Sequence, residues 1–131
     1  MTINNASTTD IVTAAYKAYT DKDRAMIDKL ISQDFRFSSP LDDRIDRAAY
    51  FERCWPNSEA MVRHEIQRIH VAGEAAFVTY ELMKDGRRFR NTEFLTTRGG
   101  QVTSVEVYFG WDIPRVAVDR KPATATTTNV N

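Results

Sequence analysis

Apolar residues recur at helical spacing in three segments of the first half of the chain. In the first segment Val12, Ala15, Tyr16 and Tyr19 share one side, which predicts an amphipathic helix beginning near Asp10. The segments DRAMIDKLIS and DRAAYFERCWP predict two further helices, and each begins with an aspartate, a residue that commonly caps helix N-termini. Between them, FRFS alternates in the manner of a short strand and ends near a proline.

The second half of the chain alternates apolar and polar residues, a pattern typical of strands. Four runs show it: VRHEIQRIHV, AAFVTYELM, RRFRNTEFLTTR and QVTSVEVYFGWD. The connections contain Gly73 or the pairs Asp85-Gly86 and Gly99-Gly100, which are hairpin signals. Helices at one end of a chain and an antiparallel meander at the other predict an α+β fold. A curved sheet that is covered on one face by three helices leaves a cone-shaped hollow, and such hollows are common ligand sites.

Composition limits the class of protein. The chain has 131 residues, with 18 Lys and Arg against 18 Asp and Glu, so it lacks the basic excess that binding to nucleic acid or an anionic membrane requires. The N-terminus resembles no secretion signal and no apolar run is long enough to span a membrane, so we expect a cytoplasmic protein. We predict a flexible N-terminus over residues 1–8, one domain over 9–113 and a polar, disordered tail over 114–131.

Two stretches carry a family resemblance over roughly residues 9–112. They are AAYKAYTDKDRAMIDKLISQDFRFSSP, with a helix, an acidic turn, a second helix, a strand and a proline, and RNTEFLTTRGGQVTSVEVYFG, with two paired strands. In these features the sequence resembles the SnoaL-like group of the NTF2-like superfamily, which includes ketosteroid isomerases, polyketide cyclases and limonene-epoxide hydrolases. The resemblance implies three N-terminal helices packed on a curved antiparallel sheet around a cone-shaped pocket. It also implies a homodimer formed through the sheet.

The catalytic groups of the ketosteroid isomerases are missing from the matching positions. Ser39 stands where their general base, an aspartate, precedes the proline. Their oxyanion-hole tyrosine falls on Ala15, and their protonated aspartate falls near Thr92. Because proton abstraction beside a carbonyl needs both a base and an oxyanion stabiliser, we do not expect an isomerase of that kind.

Other residues offer displaced chemistry. Asp42 and Asp43 form either an acid/base pair at the pocket rim or a solvated turn. Tyr19 follows Ala15 by one helical turn, so it either presents its phenol to a ligand or belongs to the core. Glu81 falls on the pocket side by alignment with the isomerases, where desolvation would raise its pKa. The candidate catalytic residues are therefore Glu81, Asp42, Asp43 and Tyr19.

The predicted ligand-binding residues lie on the strands and at the end of the third helix. Strand alternation groups Phe77, Thr79, Glu81 and Met83 on one face, and Arg90 opposite Glu81 either tunes that carboxylate or only forms an internal ion pair. The same reasoning assigns Glu93 to the face away from the pocket. Trp55 is either a stacking wall for a ligand or a core anchor. The predicted ligand-binding set is Trp55, Phe77, Met83, Arg90, Thr92 and Phe109.

Three functions remain open. The first is binding of a small hydrophobic molecule in the cone pocket. The second is a cofactor-free enzyme (an isomerase, cyclase, dehydratase or epoxide-hydrolase type) that acts on a hydrophobic substrate. The third is an interaction module whose hollow is filled by its own side chains. We predict no cofactor and no metal, because the sequence contains no dinucleotide-binding, phosphate-loop or metalloprotease motif and its one cysteine excludes a cysteine-based zinc cluster.

Overall fold

The computed structural model describes residues 7–56, 61–84 and 86–113, without the side chains of 61–63. Three helices and six strands follow one another along the chain. In order they are α1 (Thr8–Thr20), α2 (Arg24–Leu30), β1 (Ile31–Ser39), β2 (Asp42–Asp46), α3 (Arg47–Arg53), β3 (Met61–Ala72), β4 (Ala75–Lys84), β5 (Arg87–Arg98) and β6 (Gln101–Asp112). Helix α1 begins at Thr8, within the segment predicted to be flexible. The predicted tail, 114–131, and Asp85 of the predicted hairpin turn lie outside the described residues.

Each helix begins at a side-chain cap. The side chain of Ser7 accepts a hydrogen bond from the Asp10 amide. Asp23 and Asp46 do the same at the start of α2 and α3, as the sequence predicts. Such caps satisfy backbone amides that have no partner within the helix, and each stabilises the fold by about 1 kcal/mol. None of the helices in the described ranges combines the length and apolarity needed to cross a membrane.

The six strands form one sheet in the order β2-β1-β6-β5-β4-β3. The α+β class is confirmed, but the sheet is mixed rather than purely antiparallel, because β1 runs parallel to β6. Strand β2, which the sequence pattern does not predict, forms a hairpin with β1 across Pro40 and Leu41. This strand has five residues, mostly charged, so its alternation is too short to be recognised.

The helices cover the concave face of the sheet, and the core lies between them. Residues from both layers are almost fully buried, among them Val12 and Ile27 from the helices and Val78 and Val102 from the sheet. Each such side chain contributes roughly 1.5 to 3 kcal/mol relative to its exposed state. The core therefore fixes which face of each strand looks toward the helices.

A bulge bends β6 near its end. Register with β5 shifts between the pairs Arg90–Trp111 and Thr92–Tyr108, so two residues of β6 oppose the single residue Asn91. The Asn91 side-chain oxygen accepts a hydrogen bond from the Gly110 amide at 3.0 Å, which satisfies a group that the bulge takes out of the ladder. A Cβ atom at Gly110 would lie 1.8 Å from the Arg90 carbonyl oxygen. Only glycine fits here.

Candidate functional site

A cavity of about 480 Å³ lies between the helices and the concave face of the sheet. Its volume falls in the range of small-molecule sites. Most of its wall is apolar, with contributions from Ile27, Ile31, Phe35, Phe37, Leu82, Phe89, Leu95, Val102, Val105 and Val107. Leu41, Phe109 and Trp111 also line it and are 77%, 57% and 59% exposed, so they mark its mouth.

The polar centre of the cavity is Glu93 on β5. The Tyr16 hydroxyl donates a hydrogen bond to Glu93 Oε1 at 2.6 Å, and the Tyr80 hydroxyl donates one to Oε2 at 2.7 Å. Tyr16 lies on α1, Tyr80 on β4 and Glu93 on β5, so side chains from three elements meet at this carboxyl group. All three residues line the cavity.

Burial decides the electrostatics of this centre. It raises the pKa of Glu93, and the two phenol hydrogen bonds lower it by less. The pKa values of Tyr16 and Tyr80 are also raised, first by burial and then by the Glu93 charge, so both phenols keep their protons. Glu93 nevertheless remains partly accessible from the cavity. A carboxyl group of this kind can gain or lose a proton closer to neutral pH than an ordinary glutamate.

The His64 ring packs against the rings of both tyrosines. Its ring centroid lies 5.4 Å from that of Tyr16 and 5.0 Å from that of Tyr80. Its Nδ1 atom lies 3.3 Å from the Thr20 hydroxyl oxygen. Burial lowers the pKa of His64 to about 4, so the ring is neutral at pH 7. Among the described residues, no three His, Cys, Asp or Glu side chains are grouped to hold a metal ion.

Tyr19 lines the cavity, on the side where the sequence predicts it. Its hydroxyl donates to the Cys54 carbonyl oxygen at 3.4 Å, and its ring lies 4.9 Å from that of Trp55. Trp55 also contacts Phe51, and it packs beneath Tyr19 rather than on the cavity wall. This position matches the core-anchor interpretation of Trp55. Burial raises the pKa of Cys54 to about 11, so its thiol is protonated and unreactive.

The neighbouring residues Asp42 and Asp43 take different positions. They begin strand β2, where successive side chains point to opposite faces. Asp42 lies opposite Ser39, lines the cavity and forms an ion pair with Arg53. Asp43 is exposed. The structure therefore does not bring the two carboxylates together as a pair at the cavity, and they do not form a simple solvated turn either.

Glu81 lies on the convex face of the sheet, so the prediction that it faces the pocket is wrong. Its Oε1 and Oε2 atoms accept hydrogen bonds from Arg88 Nη2 and Arg90 Nη2, each at 2.6 Å. The bond from Arg90, and then that from Arg88, lowers the pKa of Glu81, opposite to the predicted direction. The predicted pairing of Glu81 with Arg90 across β4 and β5 is confirmed. This pairing matches the second interpretation of Arg90, in which it only forms an internal ion pair with Glu81.

Most of the other strand residues predicted to bind a ligand also lie on the convex face. Phe77 is 50% exposed, and Thr92 hydrogen bonds with Thr79 at 3.0 Å on the convex face. Met83 shares that face, together with Arg90. Phe109 does line the cavity, as predicted, at its mouth. The predicted register of β4 against β5 is therefore correct. The prediction of which face of these two strands lines the pocket is wrong.

Sequence reasoning missed the centre of the site as a result. The sequence pattern assigns Glu93 to the face away from the pocket and Tyr80 to the face opposite that of Glu81, and it identifies Tyr16 only as part of the apolar side of α1. One signal could have identified them. On β4 the set Val78, Tyr80 and Leu82 is uniformly apolar, whereas the alternate set contains Glu81, and the more apolar set of a covered sheet faces the core.

A family model described as a SnoaL-like domain matches residues 12–105 of the chain. No curated protein matches the sequence.

Solved structures resemble the fold at low sequence identity. An NTF2-like protein of unknown function from Cytophaga hutchinsonii superposes with a TM-score of 0.72 at 17% identity, covering 83% of this chain and 95% of that one. An LEH-like epoxide hydrolase from M. tuberculosis has a TM-score of 0.65 at 20% identity, covering 79% and 78%. A candidate ketosteroid isomerase from Kribbella flavida has a TM-score of 0.69 at 18% identity, covering 95% and 90%. These similarities show a shared NTF2-like fold of three helices on a curved mixed sheet.

Proposed function

Because this chain belongs to the SnoaL-like family, we propose that its cavity binds a small hydrophobic molecule that carries an uncharged oxygen-containing group. The observation that carries this proposal is the contrast between the largely apolar wall and the hydrogen-bonded carboxyl group of Glu93. Apolar walls supply most of the affinity of such sites, and a few placed polar groups orient the ligand. The described side chains leave the cavity open, which favours a ligand site over an interaction module with a filled hollow.

The polar centre favours an uncharged oxygen. Glu93 in its protonated form can donate a hydrogen bond to a carbonyl or ether oxygen, and in its ionised form it can accept one from a hydroxyl group. Tyr16 and Tyr80 hold either form in place. An apolar ligand without oxygen would leave this centre without a hydrogen-bond partner from the ligand, so it should bind more weakly.

The test compares 2-naphthol with naphthalene in calorimetric titrations. We expect the wild type to bind 2-naphthol more tightly. Val107 lines the cavity beside Glu93, with which it pairs across β5 and β6. The larger side chain of Val107→Trp should therefore fill the space and remove binding of both compounds. Tyr108→Trp is the matched control, because the next residue along β6 lies on the convex face and is 53% exposed.

Two results would contradict the proposal. One is the absence of binding to a folded wild type. The other is equal loss, or equal retention, of binding in Val107→Trp and Tyr108→Trp, since only the first change alters the cavity. Circular dichroism of each variant confirms that the fold is kept.

A cofactor-free enzyme is the second candidate, and the raised pKa of Glu93 favours it. Isomerisation, ring closure, dehydration and epoxide opening all use a positioned proton donor or acceptor, which works best with a pKa near the working pH. Glu93 would serve as that group, and Tyr19 and Asp42 also line the cavity. The test is deuterium exchange into the α-carbon of an apolar ketone such as 2-tetralone, followed by NMR. Wild type should exceed Glu93→Gln, and equal rates would exclude Glu93 as the acid/base for this reaction.

We also propose that the chain forms a homodimer through the convex face. Phe77 and Tyr108 expose 50% and 53% of their surface on that face, and burial of such rings favours association. Light scattering coupled to size-exclusion chromatography should give twice the chain mass for wild type and the chain mass for Phe77→Glu. A monomeric wild type would contradict this proposal. A cytoplasmic location also remains a prediction from the sequence.

A further inference from the structure

Lys84 stands at the end of a row of side chains that face the cavity. Tyr80, Leu82 and Lys84 alternate along β4 toward the same face, and all three line the cavity. Tyr80 and Lys84 are four positions apart, which corresponds to roughly 13 Å along a strand. The apolar pair Leu82 and Phe89 lies between these two ends. The cavity therefore has a polar group at each end and an apolar wall in between.

The acidic side chains that line the cavity already have partners of their own. Glu93 is held by two tyrosines, Asp42 pairs with Arg53, and Asp112 pairs with Arg87. Within residues 7–56, 61–84 and 86–113, no carboxylate forms an ion pair with the ammonium group of Lys84, a residue of intermediate exposure. A cation in such a place loses part of its hydration without gaining a counter-charge.

We propose that the ligand of this cavity is an amphipathic carboxylate whose anionic group binds Lys84. The apolar body would lie along Leu82 and Phe89, and the uncharged oxygen at its far end would meet Glu93. The exposed apolar residues Leu41 and Phe109 at the mouth give such a ligand an apolar entrance. Arg87, which follows Lys84 across the β4–β5 turn, adds a second positive charge that Asp112 partly offsets. This inference rests on the proposed function and adds to it the charge and orientation of the ligand.

The test uses decanoate and decanamide, which have the same chain length and differ in charge. We expect wild type to bind decanoate about fivefold more tightly than decanamide in calorimetric titrations at low salt, because a partly buried ion pair is worth more than a fully exposed one. Raising the salt concentration should reduce this preference. Lys84→Met keeps an unbranched chain close to the aliphatic part of lysine without the charge and should abolish the preference, while Lys84→Arg should keep it. Lys29→Met, at an exposed position of α2, is the matched control and should behave as wild type.

The outcomes separate this inference from the proposed function. Equal affinities of wild type for the two compounds, or a preference that survives Lys84→Met, would overturn the inference and leave the cavity as a site for neutral ligands. Binding of 2-naphthol without binding of either decanoyl compound would have the same meaning. Failure of all three compounds to bind would overturn the proposed function and this inference together.

Discussion

Tyr16 and Glu93 stand 77 residues apart in the chain, and the Tyr16 hydroxyl lies 2.6 Å from Glu93 Oε1. This hydrogen bond joins α1 to β5. The Tyr80 hydroxyl, on β4, donates a second hydrogen bond to the same carboxyl group. The Tyr16 bond holds α1 against the sheet, and both bonds hold the carboxyl group at the cavity wall. Changes at either tyrosine should therefore alter both stability and the protonation of Glu93.

Tyr80→Phe removes one hydrogen bond to Glu93 and leaves the ring in place. Because that bond lowers the pKa of Glu93, its loss should raise this pKa further. The free energy of unfolding should fall by about 1 to 2 kcal/mol, the usual cost of a lost hydrogen bond to a buried group. NMR titration of the Glu93 carboxyl carbon measures the first effect, and denaturant unfolding measures the second. In the control Tyr108→Phe, which breaks an exposed bond to Glu106, neither quantity should change appreciably.

Glu93 should make the protein less stable as pH rises. Its pKa is higher in the folded state than in the unfolded chain, so between the two values the folded state binds more protons. The free energy of unfolding should therefore decline from the ordinary glutamate pKa up to the folded value, and then stay level with respect to this group. Glu93→Gln should remove this slope in urea unfolding series at several pH values. An unchanged slope would mean that Glu93 is not the carboxyl responsible.

Glu81 should show the opposite dependence. Its folded pKa is lowered by Arg90 and Arg88, so the stability it provides is present above the ordinary glutamate pKa and is lost as pH falls through the folded value. Glu81→Gln should reduce acid sensitivity and leave ligand binding unchanged, because the residue lies on the convex face. The sequence pattern predicts a pocket role for Glu81. A large loss of 2-naphthol binding in Glu81→Gln would support that pocket role and contradict the position of Glu81 on the convex face.

Much of the fold follows from local patterns. Asp23 and Asp46 were recognisable as caps, and the last two strands have the predicted bounds. Periodicity and turn residues depend on neighbours in sequence, so the sequence alone reveals them. The parallel pairing of β1 with β6 depends on contacts between distant segments, and no local pattern encodes it.

The candidate site was harder to predict because a strand offers two faces. Alternation separates Glu81 from Tyr80, but it does not say which of them looks toward the helices. A shift of one residue moves every side chain to the other face. Alignment with the isomerases placed Thr92 in the pocket, and this choice sent Glu93 to the outside. The structure reverses both assignments, since Glu93 pairs with Val107 on the cavity side and Thr92 with Tyr108 on the convex side.

Gly110→Ala should destabilise the fold at the mouth of the cavity. The added methyl group would overlap the Arg90 carbonyl oxygen, 1.8 Å away, and backbone atoms cannot move aside as a flexible side chain does. We expect a loss of about 2 kcal/mol or more in the free energy of unfolding, as for other overpacked positions. Urea unfolding measures it. A midpoint equal to that of wild type would show that the bulge relaxes at no cost.

His64 should make the protein sensitive to mild acid. Burial lowers its pKa to about 4 from 6.5, so between these values the unfolded chain binds more protons than the folded state. Stability should therefore fall as pH decreases from 6.5 to 4, by about 3 kcal/mol from this residue. His64→Phe keeps an aromatic ring against Tyr16 and Tyr80 and should lessen that fall. His70→Phe is the control, because His70 lies exposed on the same strand. Urea unfolding at several pH values measures the difference, and equal pH dependence in the two variants would exclude His64 as its source.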